Sequence, residues 1–234
     1  MIALIHYLLR DFSRSHRYLA PLLLGVGFIT WMYSLVPNPV MESYIFTSTF
    51  LYGITAWLTL NFLRSEAPVQ RELSALHVGS RIRYEWGRLL SAALFAFFLS
   101  LFATFYPALR GAFDHVPNLS ELLLGLVAHL SVTWLMIVLV WMVEGDGTRP
   151  YPNVLFVLIL LLVLSIGGQG IGNKLPDSIS WVIGVLPPVF RVNKALYQAE
   201  SHLSIQVWGG LMLPIVYSLI PLFYGFTRFR KRSR

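Results

Sequence analysis

LLLGLVAHLSVTWLMIVLVWMV, residues 122–143, decides the fold of this chain, because these 22 consecutive residues contain no acidic residue, lysine or arginine. A membrane hydrocarbon core about 30 Å thick needs about 20 apolar residues in an α-helix. One ionisable side chain, His129, lies near the centre of the stretch. The stretch therefore predicts a helix that crosses a membrane.

The rest of the chain repeats this pattern at five more places. Of the 234 residues, 56% are hydrophobic and 12% are charged, about half the charged share of an ordinary soluble domain. We therefore predict an all-α integral membrane protein with a single transmembrane domain over residues 1–234. The six predicted transmembrane helices cover residues 19–36, 44–63, 89–106, 122–143, 154–172 and 207–227. Glycines at 167–172 are expected to loosen the far end of the fifth.

The distribution of basic residues predicts the orientation. Fourteen of the 18 lysines and arginines fall in the two chain ends and in the second and fourth connections. Because basic residues stay on the cytoplasmic side, we expect a multi-pass protein of the plasma (inner) membrane with cytoplasmic N and C termini. The net charge of +7 then reflects this bias rather than a nucleic-acid partner. Membrane lipid is the expected partner of the basic tail, residues 228–234.

Two segments on the cytoplasmic side have the pattern of short helices. Residues 1–18 combine apolar residues at helical spacing with Arg10, Arg14 and Arg17, which predicts an amphipathic helix in the membrane interface. In the second connection, Pro68 can begin a helix that continues to about Gly79. Both segments are therefore expected to be ordered.

The outer connection between the fifth and sixth spans is also expected to be partly helical. Its apolar run at residues 179–186 is too short to cross the bilayer, which predicts a re-entrant or interfacial element. A second short helix is expected from Val192 to about Ser201. We thus predict short re-entrant outer helices between these two spans.

Sequence motifs of the common catalytic and nucleotide sites are missing. The chain has no cysteine, no G-x-x-x-x-G-K-[ST] loop, no H-E-x-x-H and no G-x-S-x-G. Glu144-Gly145-Asp146-Gly147 resembles a tight cytoplasmic turn more than a metal loop. We therefore predict no catalytic residue, no metal site and no cofactor bound by this chain.

His129 is the one candidate for an intramembrane polar site. An ionisable group in the middle of a span is costly and is a functional candidate for that reason. The alternative is a neutral histidine that bonds a backbone carbonyl or a hydroxyl on a neighbouring helix. The sequence favours this second interpretation, since no carboxylate lies near His129 in the chain.

The arrangement as a whole resembles the membrane subunit of type-2 ABC exporters, the ABC-2 type permeases. In that family an amphipathic N-terminal helix precedes the first of six spans, a coupling helix follows the second, and two short outer helices separate the fifth from the sixth. Residues 64–73, RSEAPVQREL, followed by residues 81–88, RIRYEWGR, are similar to the family's coupling-helix loop. The resemblance covers the whole chain.

The resemblance implies a permease subunit of an ATP-driven exporter. Its partners would be a separate P-loop ATPase, which binds the ATP and Mg²⁺, and a second permease copy or a paralogue that completes a dimer. Arg71 and Glu72 are the candidates for contacts with the ATPase, as exposed charges on a docking surface. Walls with few charges suit an amphipathic cargo such as a peptide, an antibiotic or a lipid, and small permeases of this kind often export antimicrobial peptides.

Two other functions are compatible with the sequence. One is an intramembrane enzyme that uses His129 together with residues on other helices. The other is a membrane anchor or assembly subunit that transports nothing. A permease depends on the ATPase activity of a partner, whereas an enzyme depends on His129 and an anchor on neither.

Overall fold

The computed structural model describes residues 1–145, 147, 149–174, 176, 181, 183–200 and 204–232, with side chains described to residue 228. Most of this part of the chain is helical, and its one β-bridge pairs Asn38 with Phe113. The nine helices in chain order are α1 (Ile2–Ser15), α2 (Leu19–Met32), α3 (Val40–Leu63), α4 (Pro68–Val78), α5 (Arg81–Arg110), α6 (Leu119–Glu144), α7 (Tyr151–Gly172), α8 (Val189–Ala199) and α9 (Ile205–Arg232).

Four of these helices are long and apolar enough to cross a membrane. They are α5, α6, α7 and the Ile205–Arg228 part of α9. The prediction of a helical membrane protein is thus confirmed in its coarse form. Helix α2 has 14 residues and is about 21 Å long at 1.5 Å per residue. Helix α3 has 24 residues but carries many hydroxyl side chains, so the count of six spans stays a prediction.

Helix α6 lies at the centre of the bundle. It packs against α3, α5 and α9. Its own side chains are apolar on most of its faces, as expected of a helix buried in a bundle. Its largest fully buried side chain is Trp141. The apolar stretch at residues 122–143 is therefore also the core of the fold.

Helix α1 is held against the bundle by one aromatic residue. The Phe12 ring is fully buried and makes edge contacts with Phe62 and Phe95 at centroid distances of 5.2 and 5.4 Å. Only Leu8 and Phe12 of this helix are buried. Helix α1 thus has the one-sided packing expected of an amphipathic helix.

Helix α5 begins eight residues before the predicted third span. The prediction started that span at residue 89, after the charged residues of the second connection. Arg81, Glu85 and Arg88 instead lie inside α5. Helix formation continues through them because Glu85 and Arg88 are buried and pair with each other.

Helix α7 corrects the expectation for the glycines at 167–172. The helix continues through them to Gly172. A Cβ atom at Gly168 would lie 2.5 Å from the ring of Phe190 in α8. The missing side chain permits close packing between α7 and α8, and that packing outweighs the low helix propensity of glycine.

The predicted outer elements are only partly within the described residues. Residues 179, 180 and 182 of the predicted re-entrant element at 179–186 lie outside them. The following helix is present, but α8 begins at Val189 and ends at Ala199, three residues earlier than predicted at its start. Its buried side packs against α3 and α9.

Candidate functional site

Helix α4 has the boundaries that its local sequence predicts. Pro68 occupies the first turn, where its missing N–H costs no hydrogen bond. Gly79 ends the helix with a φ of 71°, a left-handed conformation that glycine adopts without strain. The short helix predicted from Pro68 is therefore present, between α3 and α5.

Arg71 anchors α4 to the bundle. Its side chain is 4% exposed, its Nη2 donates to the carbonyl of Leu63, and its Nε donates to the carbonyl of Glu66 at 3.2 Å. The premise that Arg71 is an exposed docking charge is therefore wrong. Burial, and then the nearby Arg88, lower the pKa of Arg71, whose guanidinium remains charged at any physiological pH.

The end of α3 receives a second guanidinium. Arg88 Nη2 donates to the same carbonyl of Leu63 at 2.9 Å. The last carbonyls of a helix lack partners inside it and carry its partial negative charge. The guanidinium groups of Arg71 and Arg88 both bond the carbonyl of Leu63, and they thus join the end of α3 to α4 and to α5.

Glu85 links α5 to the central helix. Its Oε2 accepts a hydrogen bond from Arg88 Nη1 at 3.0 Å and another from Trp141 Nε1 at 2.8 Å. Both charged side chains are fully buried. A buried ion pair of this kind is very sensitive to the loss of one partner, which leaves an uncompensated charge.

Glu144 holds the end of α6 in the same region. Arg64 donates to Glu144 Oε2 from Nη2 at 2.8 Å and from Nε at 2.9 Å. Arg64 also donates to the carbonyl of Arg149, in the connection that leads to α7. The ends of α3 and α6 are thereby tied to the start of α7.

Glu66 connects the linker before α4 with its neighbours. It accepts hydrogen bonds from Tyr84 of α5 at 2.5 Å, from Ser74 of α4 at 3.1 Å and from Tyr7 of α1 at 3.4 Å. The side chain is nearly fully buried. Helices α1, α4 and α5 thus share polar contacts with this carboxylate.

We name these six residues the ion cluster: Arg64, Glu66, Arg71, Glu85, Arg88 and Glu144. Its three cations and three anions balance in formal charge, which lowers the cost of burying them together. Three of its buried atoms, Arg71 Nη1, Glu85 Oε1 and Glu144 Oε1, have no hydrogen-bond partner among the described residues. The ion cluster connects α4 to the ends of α3 and α6 and to the first turns of α5.

The opposite side of α4 is exposed and apolar. Val69, Leu73 and Leu76 are 72%, 57% and 76% exposed, and their spacing places them along one side of a helix. Glu72 lies beside them with a side chain that is 62% exposed, and it pairs with Arg81 at 2.6 Å. Glu72 therefore retains the exposure that was expected of a docking charge.

A groove of about 860 Å³ separates α4 from α1. Leu4 and Tyr7 line it from α1, and Leu73 and His77 line it from α4. The groove extends the apolar surface of α4 toward the N-terminal helix. A partner that covers Leu73 would therefore also reach α1.

His129 lies among neutral hydrogen-bonding groups. Its Nδ1 is 2.6 Å from the carbonyl of Gly125 and 3.1 Å from Thr104 Oγ1, and its Nε2 is 2.8 Å from Thr47 Oγ1. A carbonyl can only accept, so Nδ1 carries the proton and Nε2 accepts from Thr47. This geometry fits the interpretation of His129 as a neutral histidine whose hydrogen bonds join α3, α5 and α6.

Two other hydroxyls of α3 form similar neutral contacts. Tyr52 bonds Ser165 of α7 at 3.0 Å, and Asn193 of α8 donates to Thr49 at 3.1 Å. Within membranes such contacts bring neighbouring helices together. The polar side chains of α3 therefore serve helix packing.

Sequence reasoning singled out Arg71, Glu72 and His129, but not the other members of the ion cluster. Glu85 and Arg88 carried a weak signal, since their spacing of three residues allows a pair on one helix. Glu144 carried none, because its partner Arg64 is 80 residues away. Gly145 and Gly147 have positive φ angles, as a tight turn requires, while Asp146 lies outside the described residues.

The site is built from charged and neutral hydrogen-bonding contacts. No group of three metal-ligating side chains occurs in the described part of the chain. No protein-family model, curated protein or solved structure matches this chain.

Proposed function

We propose that this chain is the membrane-spanning permease subunit of an ATP-driven exporter of the ABC-2 type. It would work in the plasma (inner) membrane with six spans and both termini in the cytoplasm. A separate P-loop ATPase would bind the ATP and Mg²⁺, and a second permease copy or a paralogue would complete the transport path. The support is the resemblance of the sequence together with the arrangement around α4.

The two-sided character of α4 is the observation that carries this proposal. One side holds Arg71, which is buried and bonded to the end of α3. The other side holds Val69, Leu73 and Leu76, which are exposed next to Glu72. An exposed apolar patch with charged residues beside it is typical of a protein-binding surface, and a rigid attachment behind it can transmit the motion of the bound partner.

The ion cluster supplies the path of transmission. A displacement of α4 acts through Arg71 on the end of α3 and, through their shared carbonyl of Leu63, on Arg88 of α5. Glu85 passes it to Trp141 of the central helix. Since these contacts are short and buried, α4 and the ends of α3, α5 and α6 move as one body.

The cargo would be amphipathic, such as a peptide, an antibiotic or a lipid-like molecule. The apolar faces of the helices suit such a molecule better than a small ion, which needs a dense set of polar ligands. The neutral contacts of His129 with Thr47 and Gly125 fit a structural role within this permease.

The proposal is tested by purifying the tagged chain from its native membrane. We expect a P-loop ATPase to copurify in stoichiometric amounts, with an ATPase activity that depends on this chain. Recovery of a stable chain with no ATPase would contradict the proposal and favour the enzyme or the anchor.

A substitution on α4 tests the docking surface directly. Leu76→Glu places a charge in the exposed apolar patch and should reduce the copurified ATPase at least tenfold, because desolvating an unpaired charge opposes binding. Val116→Glu is the matched control, since Val116 is 91% exposed in the connection at the other end of α5. Equal ATPase recovery from both variants would exclude α4 as the docking surface.

A further inference from the structure

A small cavity of about 250 Å³ lies where α6 ends, α7 begins and α9 leaves the bundle. Met142 of α6, Val157 of α7 and Tyr224 of α9 contribute apolar and aromatic walls. The cavity is on the same side of the protein as the ion cluster, because Val143 and Gly145 line it next to Glu144.

Two arginines from different segments line this cavity. Arg149 comes from the connection between α6 and α7, and Arg228 comes from the last described part of α9. Arg149 spends one donor, Nη1, on the carbonyl of Val143 at 2.7 Å. The described lining of the cavity includes no acidic residue. The described lining therefore carries two positive charges, and a guanidinium has five N–H donors, more than these contacts use.

The position of the cavity is that of a membrane interface. Arg149 lies two residues before the start of α7, and Arg228 follows the exposed aromatic residues Phe223 and Tyr224 by about one turn. Tyrosine is enriched where the hydrocarbon core meets the headgroups. Further from the cavity along their apolar segments, α7 and α9 expose apolar side chains, among them Phe156 and Ile159 of α7 and Val216 and Ile220 of α9.

We propose that this cavity binds one anionic glycerophospholipid. The headgroup phosphate lies between Arg149 and Arg228, and its acyl chains run over Val157 and Tyr224 along the exposed faces of α7 and α9. A volume of about 250 Å³ accommodates a headgroup but not the chains. Guanidinium groups that converge from two segments match the oxygen atoms of a phosphate. This inference is independent of the proposed transport function.

The test is lipid binding to the full chain purified in detergent, measured by native mass spectrometry. Dioleoyl phosphatidylglycerol, dioleoyl phosphatidylcholine and inorganic phosphate are titrated separately. We expect phosphatidylglycerol to bind at least tenfold more tightly than phosphatidylcholine, and inorganic phosphate not to compete with it at equal concentration. Competition by inorganic phosphate would identify a free-phosphate site and overturn the lipid proposal.

Two variants and one control locate the site. Arg228→Gln should weaken phosphatidylglycerol binding roughly fivefold, the usual effect of one basic residue at an anionic surface. Val157→Trp should weaken phosphatidylglycerol binding without any change in charge, because the larger indole side chain fills part of the cavity. Arg10→Gln removes the same charge from exposed α1 and should leave the affinity unchanged. Equal losses for Arg228→Gln and Arg10→Gln would show diffuse surface attraction and refute the site.

Discussion

The ion cluster and the group around His129 are both buried and polar, yet they are built differently. The ion cluster joins full charges from distant parts of the chain, such as Arg64 and Glu144. Around His129, each group also has a carbonyl within hydrogen-bond distance one turn earlier in its own helix. His129 donates to Gly125 and Thr104 donates to Ser100, while the single proton of Thr47, which it gives to His129, has the carbonyl of Ser43 as its alternative acceptor. Charges thus occur at the helix ends, and neutral groups with local partners occur at depth.

This difference teaches where the bundle depends on its tertiary contacts. A neutral group with a carbonyl on its own helix keeps a hydrogen bond when its neighbour is lost. A buried charge without its partner has no such alternative. The ion cluster should therefore be far more sensitive to substitution than the group around His129, and the following changes test that order.

The largest loss is expected for Arg88→Met. This change removes the closer of the two cations that pair with Glu85, whose other partner Arg81 is 3.7 Å away, and it removes one donor from the carbonyl of Leu63. The free energy of unfolding should fall by about 3–5 kcal/mol, measured by reversible unfolding in mixed micelles. The double change Arg88→Met with Glu85→Gln should recover part of the loss, since the glutamine still accepts from Trp141. A single variant as stable as the parent would refute the buried ion pair.

A smaller loss is expected for Glu144→Gln. Arg64 is 20% exposed and its carboxylate partner is fully buried, so water compensates Arg64 in part. We expect a loss of about 1–3 kcal/mol in unfolding free energy. Glu72→Gln is the matched control, because the pair of Glu72 with Arg81 is exposed and should change stability by less than about 0.5 kcal/mol. Similar values for both variants would contradict the distinction between buried and exposed pairs.

Thr47→Val should have a milder effect. It removes the hydroxyl that faces His129 Nε2 while keeping the shape of the side chain. Single hydrogen bonds between membrane helices contribute about 0.6 kcal/mol on average, and a loss of that size is expected in the same unfolding assay. Thr30→Val serves as control, because Thr30 bonds only carbonyls of its own helix. A loss above about 3 kcal/mol would give His129 a larger role than packing.

The smallest effect is expected at His115, an exposed polar site in the connection before α6. Its Nε2 lies 3.1 Å from Glu121 Oε1 and its Nδ1 lies 2.8 Å from Asp114 Oδ1. The hydrogen bond with Glu121, and then the one with Asp114, raise the pKa of His115. The ion pairs of protonated His115 therefore stabilise the fold fully below about pH 6.5. This stabilisation disappears as the pH rises through the raised pKa of His115.

The thermal midpoint measures this effect. Relative to His115→Gln, the parent should be more stable at pH 5.5 than at pH 8.5, by less than about 0.5 kcal/mol because the site is exposed. A difference that is constant between the two pH values would show that the ion pairs of His115 add nothing.

Local signals in the sequence predicted much of the secondary structure. Pro68 and Gly79 bounded α4 correctly, because a helix start and a helix end depend on the residues at those positions. The start of α5 was missed by eight residues, since charged residues were assumed to lie outside a membrane helix. The glycines of α7 were misjudged, because their partner Phe190 belongs to another helix.

The candidate site was predicted only in part. Arg71 was singled out, but as an exposed charge, and it proved to be the buried anchor of α4. Neither its burial nor the pairing of Arg64 with Glu144 leaves a trace in the local sequence, because both depend on which helices become neighbours. The neutral interpretation of His129 could be reached from the sequence, since the cost of a charge at mid-span is known in advance.

The sequence by itself determined that this protein is a bundle of apolar helices with basic ends, because the length and composition of each apolar run set its preference for a membrane. It also determined that a short helix interrupts the bundle after α3. Only the tertiary structure decided which side of that helix is buried, which charges share Leu63, and that two arginines converge between α7 and α9. These features are contacts between residues far apart in the chain, and such contacts exist only once the helices have packed.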